Sequence, residues 1–130
     1  MTGPDDRPDA RAADPAGPPA PGEVFIVLTN MPDAASAERV AQALVAERLA
    51  ACVNILAPCR SVYRWQGQVE RADEVPLLIK TAKDRYPALQ RRLAALHPYD
   101  VPEVLACASA DGLPAYLDWV LAQTRPADVG

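Results

Sequence analysis

"CVNILAPCRSVYRWQGQVERADEVPLLIKTA", residues 52–82, is the stretch whose reading decides the fold. The pattern has a period of two through both halves. Gln66 and Gly67 sit where a tight turn belongs, with Gly67 supplying the positive φ that two-residue hairpin turns require. The arms, 52–65 and 68–82, hold 14 and 15 residues, which at ~3.3 Å per residue is about 46 to 50 Å each. A usual strand has about five or six residues. A hairpin this long projects beyond the core of a small domain, and Pro58 predicts a bulge or bend along it.

Working outward, "VFIVLTN", 24–30, is a continuous apolar run that suits a strand covered on both faces. Asp33 is placed to cap a helix over 34–50, whose Ala37, Val40, Ala41, Leu44, Val45 and Leu49 recur at helical spacing. After the hairpin, Asp84 is expected to cap a second helix with Tyr86, Leu89, Leu93 and Leu96 as its buried stripe, and Pro98 ends it. "PEVLACAS", 102–109, reads as a further strand, and Gly112 with Pro114 introduces a last helix. The order β-α-β-β-α-β plus a terminal helix defines an α+β, ferredoxin-like sandwich. Such a fold hosts many functions and settles none. Tyr63 and Trp65, two apart on one face of the hairpin's far end, lie where the domain's own core can hardly reach, so the edge is expected to be covered in a homo-oligomer.

The 130 residues suit one domain, expected over 23–125. Residues 1–22 hold six of the fourteen prolines and no Val, Ile, Leu, Phe, Tyr or Trp, so they are expected to be a disordered tail, with a frayed end at 126–130. Neither a signal-peptide pattern nor a run of about 18 apolar residues is present, which points to the cytoplasm and to no membrane partner. A net charge of −4 argues against nucleic acid. Cys52, Cys59 and Cys107 form neither a disulfide framework nor a zinc motif and read as small apolar thiols in strands.

"LAACVNI" (49–55), "SVYRWQGQVE" (61–70), "EVPLLIKT" (74–81) and "HPYDVPE" (97–103) together resemble the CutA family, named for divalent-cation tolerance, over about 24–124. The resemblance implies a homotrimer whose long hairpins wrap neighbouring subunits, a role in the response to metal ions such as copper, and no catalysed reaction. It also implies a cleft near the subunit interface, with Trp65, Lys80, His97, Tyr99 and Glu103 lining or bordering it. Two departures stand out. Members proposed to bind copper carry a cysteine and a second histidine where this chain has Thr29 and Leu96, which leaves His97. Pro76 falls in a strand that should be central, so a bulge is expected there too.

His97, the only histidine, is the candidate metal ligand, with Asp100 and Glu103 close in sequence; the competing reading is a helix-ending imidazole that packs or hydrogen-bonds. Pro98 and Pro102 push His97 and Val101 into extended backbone, making "HPYDVP" a stiff connector that aims Tyr99 and Glu103. Lys80 shares a strand face with Leu78, either solvated or facing Glu103 or an anionic ligand; Trp65 and Tyr63 favour interface packing over a ligand cage. No phosphate cradle follows the first strand, no Ser/His/Asp signature can be drawn, and "EVPLLIKTA" lacks the stacking aromatics of an RNA-recognition sheet. The function that the resemblance implies is a non-enzymatic trimer of divalent-cation response, with no required cofactor and weak copper or other divalent-metal binding. The alternative is a trimeric sensor of a small anion at Lys80.

Overall fold

The computed structural model, which describes Ala20 and residues 22–126, has the expected order of elements. The expected tail over 1–22 lies almost wholly outside the described residues, as does most of 126–130. Strand β1 spans Val24–Met31, helix α1 Ala34–Ala46, β2 Cys52–Ile55, β3 Cys59–Trp65, β4 Gln68–Ala82, α2 Tyr86–Leu96, β5 Leu105–Ala108 and α3 Pro114–Gln123. Strands pair antiparallel in the order β2-β4-β1-β5, with β3 extending β4. β1 and β2 thus run parallel on either side of β4, the split β-α-β arrangement.

Alternation assigns the two faces of the sheet. Val27 and Met31 of β1 with Leu77 and Ile79 of β4 pack under Val40, Leu44, Leu89 and Leu93 of the two helices, all fully buried. Each such side chain contributes about 1.5–3 kcal/mol by leaving water. The opposite face carries Ile26 and Leu28, paired with Lys80 and Leu78 on one side and with Cys107 and Leu105 on the other. α3 covers only one end of that face, where Leu117 and Val120 meet Val24 and Ala51. Leu105 is left 57% exposed, so most of a largely apolar sheet face has no cover among the described residues.

Helix α1 starts as expected: Asp33 is extended and its carboxylate accepts the Ser36 amide at 2.7 Å. It ends four residues earlier than the apolar spacing predicts. Arg48 takes φ +60, and the amides of Leu49 and Ala50 both turn back to the Leu44 carbonyl, dropping those side chains into the core. Asp84 is no cap. It lies in a 3-10 turn, Lys83–Arg85, and its carboxylate takes Arg125 bidentately, at 2.6 and 2.8 Å. The last strand is shorter than expected, 105–108, because the connector runs to Val104.

The hairpin turn has Gln66 at φ 50 and Gly67 at φ 79, the two positive values of a type I′ turn. Its first arm is broken at 56–58. Ile55 pairs with Leu77 but Cys59 with Glu74, so four steps on one side match three on the other, the single extra residue of a bulge beside Pro58. The bulge expected at Pro76 is absent: β4 keeps unbroken register with β1 from Met31–Val75 to Val24–Ala82. The Pro76 carbonyl accepts the Leu56 amide, and a strand residue points N and O to the same side. The missing N–H therefore faces the break rather than β1.

Candidate functional site

One corner of the sheet gathers the polar side chains. Pro98 holds His97 extended, at φ −75 and ψ 136, so the chain leaves α2 sideways and the imidazole turns back over the end of β1. There it is buried, 7% exposed. Its Nε2 lies 2.7 Å from the Asn30 carbonyl, which can only accept, so Nε2 carries the proton. Nδ1 accepts the Tyr99 backbone amide at 3.1 Å. The Tyr99 ring tilts against the imidazole with centroids 4.8 Å apart, and its hydroxyl donates to Glu74 Oε2 at 3.0 Å. Asn30 Nδ2 donates to Glu103 Oε1 at 3.2 Å. Three segments are thereby tied together: the end of β1, the connector 97–103, and Glu74, which pairs with Cys59 where the hairpin leaves the sheet.

Burial pushes the His97 imidazole below its ordinary value, against the opposing pull of the Asn30 hydrogen bond and the Glu74 charge. The Tyr99 phenol is pushed up to about 12, by burial first, then by its bond to Glu74 and that carboxylate's charge. Both groups stay neutral at pH 7. Tyr63 is near enough for its phenol to bear on Tyr99.

Of the expected cleft residues, Tyr99 and Glu103 reach this corner beside His97. Lys80 does not. It shares the open face but pairs with Ile26, four residues along β1 from Asn30, roughly 13 Å away at strand rise. Its ammonium donates to Asn54 Oδ1 rather than to Glu103. Trp65 stands at the hairpin tip, half exposed, six residues of β4 beyond Glu74, or about 20 Å. Tyr63, on the same hairpin face, is 43% exposed. Glu74 and Asn30, which join the cluster, carry no sequence signal beyond an acid on the open face of a strand and an amide at a strand end.

The residues of one protomer do not fit a resident metal. Both His97 nitrogens are engaged, and among the described residues no group of three or more His, Cys, Asp or Glu could hold an ion. Thr29 is buried on the core face, its Oγ1 without a hydrogen-bond partner in the described structure. The three thiols do lie in strands, but Cys59 and Cys107 are exposed, unlike the buried thiols expected; all three are free. No helix among the described residues is long and apolar enough to cross a membrane.

Fold and corner together define an α+β, ferredoxin-like protein with an overlong hairpin and a saturated polar cluster. Its sequence matches the CutA1 divalent ion tolerance protein family over residues 25–123. It is 48% identical over 99 residues to the divalent-cation tolerance protein CutA of Thermus thermophilus, covering 76% of this chain and 96% of that protein. The mouse protein CutA is 41% identical over 77% of this chain and 56% of its own length. Among solved structures, CutA from Xylella fastidiosa superposes with a TM-score of 0.77 at 45% identity, covering 79% of this chain and 99% of that one. CutA1 from Oryza sativa gives 0.78 at 37%, covering 82% and 98%. This chain belongs to the CutA1 divalent ion tolerance family.

Proposed function

We propose that the chain works as a homotrimer in the response to divalent metal ions, catalysing no reaction and contacting such ions weakly. The observation that carries the trimer is the uncovered apolar surface: the sheet face with Leu28, Leu78 and Leu105, continued by a ribbon on which Trp65 is 52% exposed. Surface of that kind is costly in water and marks a protein interface. The outer edges of β3 and β5 are unpaired in the described structure, so the hairpin of one copy can extend the sheet of the next.

No nucleophile with an adjacent base is present in the corner, and its one imidazole is saturated. Cu(II) or another divalent ion reaches His97 only by displacing the Tyr99 amide or the Asn30 carbonyl, which makes any contact there weak and exchangeable. Two exposed, unpaired thiols suit a reducing compartment, and we place the protein in the cytoplasm.

Light scattering coupled to gel filtration should give three times the 13.9 kDa chain mass. Calorimetric titration of the metal-stripped protein with Cu(II) should show weak binding reduced in His97→Ala. Tight binding unaffected by the substitution would refute the assignment to His97. A second reading, an anionic small molecule at Lys80, draws on a half-buried lysine on a largely apolar sheet face, its exposed ammonium held by Asn54 Oδ1. It requires saturable anion binding that Lys80→Met removes.

A further inference from the structure

The pairing of β3 with β4 separates the hairpin into two chemically unlike faces. Tyr63 and Trp65 share one with Glu70 and Gln68. The other carries Arg60, Val62 and Arg64 opposite Asp73, Arg71 and Val69. Arg60 and Asp73 meet at 3.6 Å, both largely exposed, and offset each other. Arg64 and Arg71 are exposed and make no ion pair or hydrogen bond among the described residues, and Val62 and Val69 between them are 61% and 65% exposed. A locally positive, part-apolar face is thus displayed by a chain of net charge −4.

Its chemical complement lies on the same chain. Asp100 and Glu103 are exposed on the connector; Glu103 receives only the Asn30 amide, and Asp100 has no ion pair among the described residues. Glu74, 9% exposed, and Asp33, with Arg39 as its nearby cation, add to the negative field of that corner. One chain cannot join the two poles. Arg71 sits at an odd position of β4 and Glu74 at an even one, so they project from opposite faces of a single strand.

We propose that Arg64 and Arg71 on the hairpin of one copy dock against Asp100 and Glu103 of a second copy, with Val62 and Val69 buried between them. The contact rests on the homotrimer reading above and specifies which surfaces meet. Two different, complementary patches can meet head-to-tail, the kind of contact that closes into a ring when the rotation between copies is a third of a turn. Opposed charge fixes partner orientation and speeds encounter, and its effect falls with salt.

The test is a charge swap read by light scattering and analytical ultracentrifugation at low salt. Arg64→Glu/Arg71→Glu should weaken assembly at least tenfold, and so should Asp100→Arg/Glu103→Arg. Carrying all four reversals in one chain should restore association, because every contact around the ring then regains opposed poles, whereas mixing the two variants satisfies only two of a trimer's three contacts. The milder Arg64→Gln/Arg71→Gln should give an intermediate loss that shrinks as salt is raised, and circular dichroism checks that every variant is folded. A wild-type trimer with both reversals assembling at unchanged midpoint would overturn the contact and leave the trimer standing. A monomeric wild type would remove both.

Discussion

Replacing Tyr99 by Phe removes one oxygen and leaves the ring against His97. That oxygen donates to a Glu74 carboxylate only 9% exposed, at 3.0 Å. A hydrogen bond to a charged group is worth about 1.5–3 kcal/mol, and a buried acceptor left without its donor keeps its desolvation cost. Tyr99 is itself half-buried, so water can reach part of the vacated position, and the lower end, about 1.5 kcal/mol, is the expected loss. Urea unfolding at fixed chain concentration is the assay, because the stability of an oligomer depends on that concentration. Glu74→Gln and the double variant complete a cycle whose coupling term isolates the pair. A loss under about 0.5 kcal/mol, the size of ordinary surface substitutions, would refute the reading that this bond clamps the connector to the hairpin root.

Trp65→Ala should leave the fold intact and weaken the trimer, seen as a shift toward monomer on dilution; unchanged assembly would mean that the ring meets no neighbour. Gln66→Asn should stabilise the fold by about 0.5 kcal/mol of relieved strain, seen as a small rise in melting temperature, because Asn tolerates the φ of 50 that Gln66 adopts. His97 should make stability acid-sensitive. Its pKa in the fold lies below the ordinary 6.5, so its contribution is complete above that pH and is lost as pH falls through the depressed value. The advantage of wild type over His97→Gln, measured by melting between pH 8 and 5, should therefore shrink below about 6.5; a constant advantage would contradict it.

What was legible in the sequence was local. The Asp33 cap reaches three residues ahead, the type I′ turn needs only Gln66 and Gly67, and alternation assigns Lys80 and Ile79 to opposite faces. Misread features depend on distant partners. Asp84 looks like a cap until Arg125, 41 residues on, claims its carboxylate. The α1 pattern runs on through Leu49 because that side chain is buried, though the backbone has already turned at Arg48. Pro76 predicted a bulge in β4, but the defect falls on its neighbour, and which side of a strand lacks a donor depends on register. At the candidate site, the connector motif marked His97, Tyr99 and Glu103, whereas Glu74 joins them only across a 25-residue separation. Face alternation placed Lys80 on the right surface without saying how far along it lay.

The extra residue at 56–58 works like a shift of reading frame. In β2 the odd-numbered Val53 and Ile55 sit across from Ile79 and Leu77, the core side; in β3 the odd-numbered Tyr63 and Trp65 share a face with Glu70 and Gln68, the other side. Deleting one residue there would turn the arm over, exchanging its aromatic surface for its arginines, whereas a two-residue deletion would preserve the phase. Between relatives, an odd-length gap at this point should therefore be rarer than an even one, however permissive the loop looks, because the phase of every side chain out to the tip is set by those three residues.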